Sequence, residues 1–296
     1  MKKHNKCLVC SSVDYLIIGS VSSEDKNVDV CKCRNCSHTF TAYISQDENG
    51  TSSSNATLTT ESYIQRMIEA SNKDNLHLNE VGKNRLNYFE KKLGFKEFNI
   101  LEIGSGAGGF GAALVNGGLA VANYVGVELD AALTEVARAR GLNVINNDFM
   151  DAEFEVDSFN IIMFTQVLEH INEPQAFLIK VKKLLKKHEN TILYIEVPNH
   201  YSLAGFFSRL FGGLGIRLGS IQWPFHCSSY SKKSLTHLLE SIFPESELTV
   251  FTVASSHKVF GQGGDYGLKE RIYFFLSKMF LMKSMVVGIA FSRINE

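Results

Sequence analysis

A glycine-rich turn that follows a short apolar run is the feature that most constrains the fold of this chain. The segment 99–114 reads NILEIGSGAGGFGAAL, so an apolar run leads through Glu102 into the turn 104–109 and then into helix formers and small residues. This order predicts a buried strand, a tight turn and a helix start, the opening unit of a doubly wound α/β sheet. Gly104 and Gly106 let a ligand approach the turn closely, because no Cβ stands in the way. The helix N-terminus beside them offers free N–H groups to a polar ligand.

Glycine spacing alone leaves the ligand open. Gly104, Gly106 and Gly109 also satisfy G-x-G-x-x-G, a weak dinucleotide signal. Glu102 favours another interpretation, because an acid at the end of a buried strand carries a desolvation cost unless it has partners. The string LEIGSGAGGF resembles motif I of class I S-adenosylmethionine (SAM) methyltransferases. In that family the turn passes under the methionine part of SAM and the acid helps to hold its polar end. The resemblance therefore implies cofactor contacts at Glu102, Gly104, Ser105 and Gly106.

The next strand end carries a second candidate for cofactor binding. Residues 124–130, YVGVELD, predict a buried strand that ends in acids. An acid some 20-odd residues past the glycine turn can accept both hydroxyls of a ribose, and we assign this role to Glu128, with Leu129 beside it. Asp130 is predicted instead to cap the helix 131–140.

Two later motifs extend the same resemblance. Asp148 and Phe149 follow a third predicted strand, 142–145, and resemble the family's adenine-binding acid and aromatic; a solvated turn aspartate is the alternative for Asp148. FTQVLEHINEPQAFL resembles motif IV of the small-molecule branch, which implies that Gln166 lies beside the methyl donor. This segment lacks the Asn/Asp-Pro-Pro-Tyr signature of enzymes that methylate planar amino nitrogens.

The N-terminal cysteines predict a metal site. Cys7-x-x-Cys10 and Cys33-x-x-Cys36 are separated by 22 residues. Each pair can place two thiolates about one Zn²⁺, and together they give four tetrahedral ligands. Cys31 is a surplus thiol that could replace Cys33, although the C-x-x-C spacing favours Cys33. Free cysteines or a redox pair are the alternative.

Short strands are predicted between the two knuckles, at 15–18, and from the end of the second knuckle, at 36–43, so the segment is interpreted as a zinc ribbon. Such a piece is too small to bury an adequate core, and structural zinc would supply roughly 10–16 kcal/mol. The pattern resembles the N-terminal zinc-binding segments of bacterial sugar methyltransferases.

Three residues are candidates for the chemistry. His226 follows the fifth predicted strand of the sheet, and His170 follows the fourth, so both are expected on the rim where the carboxyl ends of the strands open. Tyr230 belongs to the segment 226–231, which resembles an H-x-x-x-[FY]-S feature of sugar and related small-molecule methyltransferases, and it could wall a sugar ring together with Trp223 and Phe225. A neutral imidazole suits the removal of a hydroxyl proton, and we expect His226 to be that base, with His170 second. A histidine bonded to backbone in a loop is the structural alternative.

The chain as a whole is expected to divide into a zinc-ribbon segment (1–44), a linker and lid region (45–74) and a methyltransferase domain (75–296). The fold predicted for the last is a Rossmann-like three-layer class I methyltransferase fold with a mostly parallel seven-stranded sheet. The resemblance implies methyl transfer from SAM to a small polar acceptor, with a sugar or nucleotide-sugar hydroxyl as the expected substrate. Cofactors are expected to be SAM and Zn²⁺.

Charge and composition restrict the partners. A formal net charge of −1 gives no global drive toward nucleic acid or anionic membrane. Cysteine clustering and the lack of an apolar leader predict a reducing, cytoplasmic location. An apolar run, 272–291, is interpreted as a buried or dimer-forming helix followed by a strand, and peripheral membrane contact shared with Phe206-Phe207 and Leu210-Phe211 is the alternative. Other interpretations are a zinc-ribbon RNA base methyltransferase, a nicotinamide-dependent oxidoreductase and a non-catalytic SAM-fold scaffold.

Overall fold

The computed structural model describes residues 4–23, 26–43, 61–72, 75–202, 221, 226–253 and 283–293. Its α-helices are α1 (Glu61–Asn72), α2 (Asn75–Leu93), α3 (Gly109–Asn116), α4 (Ala131–Ala139), α5 (Pro174–Leu184) and α6 (Lys232–Ile242). Its strands are β1 (Tyr15–Ser23), β2 (Lys26–Cys33), β3 (Thr39–Thr41), β4 (Ile100–Ile103), β5 (Tyr124–Glu128), β6 (Val144–Asn146), β7 (Ile161–Thr165), β8 (Thr191–Pro198), β9 (Ser228–Ser229), β10 (Glu247–Val253) and β11 (Met285–Ser292).

Seven strands form the central sheet, in the order β10-β11-β8-β7-β4-β5-β6. The strand pairs from β8 to β6 are all parallel, whereas β11 runs antiparallel to both β8 and β10. This confirms the predicted mostly parallel seven-stranded sheet with an antiparallel last strand. Because the order reverses direction next to β4, the carboxyl ends of β4 and its neighbours open a crevice for a ligand.

Alternate residues of the central strands face two separate cores. In β7, Ile162 and Phe164 belong to one core while Ile161 and Met163 belong to the other. The helices α5 and α6 cover the first face and α2, α3 and α4 cover the second, which gives the three predicted layers. Strands that are buried on both faces are apolar along most of their length, and this is why the sequence predicted them well.

Three helix ends carry caps, and the one at Asp130 was predicted from the sequence. Asp130 Oδ1 accepts a hydrogen bond of 2.9 Å from Leu133 N at the start of α4, and Ser231 caps α6 through a reciprocal pair of bonds with Ser234. Gly94 ends α2 with a φ of +84°.

The N-terminal segment forms a four-stranded antiparallel sheet in the order β1-β2-β3-β9. The sequence did not predict β2, whose strand geometry depends on partners on both of its sides. The strand β9 comes from the second half of the chain and pairs with β3 through Thr39↔Ser229 and Phe40↔Ser228. Main-chain hydrogen bonds therefore join the ribbon to the chain segment that leads into α6.

Several expectations lie outside the described residues. These are the linker around 45–60, the walls Trp223 and Phe225, the apolar insertion with Phe206-Phe207 and Leu210-Phe211, and most of the apolar helix before β11. Among the helices that the structure describes, none is both long enough and apolar enough to cross a membrane.

Candidate functional site

A cleft lies at the carboxyl ends of β4, β5 and β6. Five of the residues predicted to bind the cofactor line it: Gly104, Glu128, Leu129, Asp148 and Phe149. The remaining wall is contributed mainly by apolar side chains and one amide: Ile103, Val127, Asn147, Val167, Ile171 and Phe177. Segments that are far apart in the chain thus converge on one cleft.

The glycine turn is held against β5 and leaves no room for a side chain at its first position. The amides of Gly104 and Ser105 both donate to Val127 O, at 2.8 and 3.1 Å. Gly104 has a φ of +71°, and a Cβ there would lie 2.5 Å from Val167 Cγ2. Only glycine satisfies both conditions, since other residues adopt this φ at a cost and would collide with Val167.

Glu128 presents its carboxylate at the end of β5, fixed by two backbone donors. Gly106 N donates to one oxygen at 2.8 Å and Asp130 N donates to the other at 2.9 Å. Burial raises the pKa of Glu128, and these two hydrogen bonds act in the opposite direction. A positioned carboxylate that faces the cleft can accept hydrogen bonds from the hydroxyls of a ribose.

Glu102 lies beneath the turn and does not line the cleft. Its side chain is buried, and Tyr124 Oη donates to Glu102 Oε2 at 2.6 Å. Burial raises the pKa of Glu102 to about 7, although the Tyr124 hydrogen bond and the charge of Arg85 lower it. The partner that the sequence required for a buried acid is therefore Tyr124.

A buried ion pair under the same side of the sheet was not predicted. Arg85 of α2 donates to Glu196 of β8, and Tyr194 Oη donates to the same carboxylate oxygen. Both charged side chains are fully buried, and the Arg85 guanidinium stacks over Phe110 at 4.1 Å. The sequence does contain a signal for this buried arginine. Arg85 lies four residues from both Val81 and Phe89, which places it on the apolar face of its helix.

The side of the cleft that was predicted to hold adenine is built from a tethered loop. Asp148 Oδ1 accepts a hydrogen bond of 2.7 Å from Met150 N, and the Phe149 ring packs on Phe177 with centroids 4.9 Å apart. Lys180, also missed by the sequence analysis, donates to the carbonyls of Phe149, Met150 and Ala152. These bonds hold Phe149 against the cleft.

Gln166 lies at the carboxyl end of β7 in a left-handed conformation with a φ of +57°. It is exposed and directly precedes Val167, which lines the cleft, but it does not line the cleft itself. Its side-chain amide lies 3.5 Å from Met285 Sδ.

The structure brings the two candidate histidines together. The rings of His170 and His226 lie with centroids 4.7 Å apart, edge to face. Glu169 adjoins them: it is fully buried, and burial raises its pKa to about 8. Tyr230 is located elsewhere, with its hydroxyl buried and its ring 4.8 Å from the ring of His38 in the ribbon.

The four predicted cysteine ligands converge. Cys7 Sγ lies 3.5 Å from Cys36 Sγ, Cys10 Sγ lies 3.5 Å from Cys33 Sγ, and all four sulfurs are within 4.8 Å of one another. Thiolates around one Zn²⁺ lie roughly 3.8 Å apart, given Zn–S bonds of about 2.3 Å. The residues therefore fit a closed tetrahedral zinc site, and Cys31 is not part of the cluster.

Comparisons with known proteins agree with this geometry. The family described as "Methyltransferase domain" matches residues 62–242. Ubiquinone biosynthesis O-methyltransferase from Coxiella burnetii is 31% identical over 118 residues, which is 38% of this chain and 48% of the relative. Its counterpart from Hahella chejuensis is 25% identical over 116 residues, covering 37% and 48%. The chain thus spans about half the length of the curated relatives it matches.

A solved structure extends the likeness to the fold. The plantazolicin methyltransferase BpumL, in complex with SAH, is 14% identical, covers 81% of this chain and 94% of its own, and has a TM-score of 0.54. The strand order, the cleft at the glycine turn and a family match over more than half of the sequence lead to one conclusion. This chain belongs to the methyltransferase domain family and has the Rossmann-like class I methyltransferase fold.

Proposed function

We propose that this protein transfers the methyl group of SAM to a hydroxyl of a small polar acceptor, in particular a sugar or nucleotide-linked sugar. The observation that carries the proposal is the cleft at the ends of β4, β5 and β6, in which Gly104, Glu128 and Asp148 face a common space. Family membership supports the reaction class. The curated relatives are named as O-methyltransferases, which supports an oxygen acceptor.

In the orientation of SAM that we propose, Gly104, Ser105 and Gly106 would border its methionine side, with Glu102 beneath the turn. Glu128 and Leu129 would border its ribose, and Asp148 and Phe149 its adenine, with Gln166 toward the methyl group. SAM supplies an electrophilic methyl group with a good leaving group. The protein's task is to orient the acceptor, exclude water and provide for the loss of the hydroxyl proton.

The acceptor side is assigned to the rim formed by His170 and His226. Val167 and Ile171, which flank the turn that carries His170, both line the cleft, so the histidines adjoin the cofactor position. Two chemical roles are open to this pair. A neutral imidazole, with His226 favoured, accepts the proton directly, or the imidazoles together with Glu169 hold a cation that lowers the pKa of a bound hydroxyl.

The sugar acceptor is supported by the His226–Ser231 pattern and by the cysteine ribbon, both of which resemble sugar methyltransferases. We further propose that Cys7, Cys10, Cys33 and Cys36 hold one structural Zn²⁺. Tyr230 packs between the ribbon and Glu169, which is consistent with a positioning role more than with contact to the acceptor.

The test is a transfer assay with radiolabelled SAM and a panel of acceptors: nucleotide sugars, phenols and RNA. We expect label in the nucleotide-sugar fraction and SAM binding by calorimetry. Label in RNA alone would replace the proposal with base methylation. SAM binding without transfer to any class would favour a non-catalytic scaffold, and binding of NADH without SAM would favour an oxidoreductase.

A further inference from the structure

A cluster of metal-ligating side chains lies beside the cleft, well separated in sequence from the cysteine ribbon. It consists of Glu169 and His170, on the turn after β7, and His226, just before β9. One ligand atom from each of the three lies within 4.8 Å of the other two. Ligand atoms that share one cation at roughly 2.1 Å lie about 3–4 Å apart, so small side-chain rotations complete a site.

Glu169 provides a second, independent observation. Its side chain is fully buried, and neither carboxylate oxygen has a hydrogen-bond partner among the described residues. An ionised carboxylate in such a position is strongly unfavourable unless a charge or a donor compensates it. A bound cation is the partner that this geometry lacks. The two half-buried imidazoles supply the remaining ligands and leave the cation open on one side.

The two segments that carry the ligands are tied to each other by the backbone. Cys227 N donates to Glu169 O at 3.1 Å, and Cys227 Sγ contacts the same oxygen at 3.4 Å. On the other side, Thr41 N donates to Cys227 O at 2.9 Å, so the ribbon fixes the position of the segment that begins with His226. The site is thus pre-organised by the main chain before any cation binds.

We propose that Glu169, His170 and His226 bind a divalent transition-metal cation, distinct from the zinc of the cysteine ribbon, that holds the acceptor's hydroxyl oxygen at the rim of the cleft. Two imidazoles and one carboxylate suit divalent transition metals, and three protein ligands leave coordination positions for a further oxygen. The binding of the cation follows from the cluster alone. Its role toward the acceptor rests on the proposed function, and it assigns His226 to the cation instead of to proton removal.

Binding is tested with Mn²⁺ as the probe, because its electron paramagnetic resonance signal reports the free ion and thiolates are poor ligands for it. The full-length protein with its ribbon zinc in place is titrated with Mn²⁺. We expect one site per chain, and affinity at least about tenfold weaker in His226→Ala and in the isosteric Glu169→Gln variant. The exposed His188→Ala variant is the matched control and should bind as the wild type does.

Thermal unfolding and SAM affinity show whether the variants retain the fold. Equal Mn²⁺ affinity in the wild type and both folded variants would overturn the proposal, as would a wild-type protein that binds no Mn²⁺. If His226→Ala or Glu169→Gln fails to fold, His170→Ala provides the same comparison at the third ligand.

Turnover separates this inference from the proposed function. With the nucleotide-sugar substrate, we expect activity to be lost when the weakly held cation is removed by brief chelation and restored by Mn²⁺ addition. The wild-type protein could instead be fully active without the cation and lose its activity in His226→Ala. That result would refute the proposed role of the cation and make His226 the base, while the proposal of methyl transfer would remain. Site-dependent Mn²⁺ binding without transfer to any acceptor would refute the proposed function and leave the cation site in place.

Discussion

Glu102 makes the free energy of unfolding depend on pH. Its pKa in the folded protein is about 7, above the ordinary value of 4.5, because burial disfavours its charged form. The folded state therefore binds more protons than the unfolded state between these values, so stability falls as pH rises from about 4.5 through 7. At 1.36 kcal/mol per pKa unit, this shift corresponds to roughly 3 kcal/mol.

A Glu102→Gln variant should lose this pH dependence. The Tyr124 hydroxyl can still donate to the amide oxygen, so the packing is preserved. We expect the difference in unfolding free energy between variant and wild type to move in favour of the variant as pH rises from 5 to 8, measured by urea denaturation. Because all other groups titrate in both proteins, two parallel stability curves would refute the assigned pKa.

Glu128 should contribute directly to cofactor affinity. Hydrogen bonds to a charged carboxylate are worth roughly 1.5–3 kcal/mol, so Glu128→Ala should weaken SAM binding about 10- to 100-fold. Isothermal calorimetry gives the comparison. Glu135→Ala is a suitable control, since Glu135 lies on the exposed side of the neighbouring helix α4. Unchanged affinity in Glu128→Ala would remove this carboxylate from the cofactor site.

Single residues also show the limit of prediction from sequence. The convergence of Gly104, Glu128 and Asp148 on one cleft could be predicted because each lies at the end of its own strand, and the strand ends of a parallel sheet meet at one edge. The sequence analysis missed the pairing of Arg85 with Glu196 and the position of Glu169 beside the two histidines. Their importance depends on which side chains approach them across the fold, and no local pattern encodes that approach.

At the scale of elements, the pairing of β3 with β9 connects the proposed zinc site to the proposed acceptor side. Loss of the zinc should loosen β3 and, through it, the segment of Cys227 and Ser228. We expect a Cys33→Ser variant to lose its ribbon zinc by elemental analysis and to exchange the amide hydrogens of Thr41 and Cys227 faster. The amides of β4 and β5 should keep wild-type protection, because they lie in the other sheet.

A Cys31→Ser variant is the matched control, since Cys31 is buried in the ribbon but is not one of the four clustered thiols. It should retain zinc and wild-type exchange at Thr41. Faster exchange in both variants would show that any change in the ribbon core loosens the pairing of β3 with β9, whether or not the metal is lost.

Elements were predicted unevenly for a physical reason. Strands β4, β7 and β8 are buried on both faces and are mostly apolar, so composition identifies them. The strand β2 alternates buried Val28 and Val30 with polar residues, and β9 is only two residues long. Such strands exist because of the partners beside them, which the sequence alone does not supply.

Across the whole molecule, one core is shared by the ribbon and the large domain. The core on the α5 and α6 face contains Cys36 and Phe40 together with Phe164 and Leu235. The class I sheet could be predicted as a whole because its motifs follow one another in chain order. The contact between ribbon and domain could not, because it joins residues nearly 190 positions apart, such as His38 and Ser228.

The turnover of the whole protein tests whether His226 takes part in the loss of the acceptor's proton. We expect His226→Ala to lower kcat about 10²- to 10⁴-fold while SAM affinity stays near wild type, because the residue lies on the proposed acceptor side and not among the cleft-lining residues. Transfer to the true acceptor at the normal rate would exclude His226 from both roles considered for it.

The seam between β3 and β9 also determines which changes this protein tolerates as it diverges. Its pairs are made by backbone groups, which are the same in every residue except proline, so replacing the buried Thr39 or Ser229 with residues of similar size should leave the ribbon docked. A single-residue insertion or deletion between Cys36 and Phe40 is different, because it shifts the register and turns each side chain to the opposite face. Length variation in this short loop should therefore be far rarer among functional relatives than substitution.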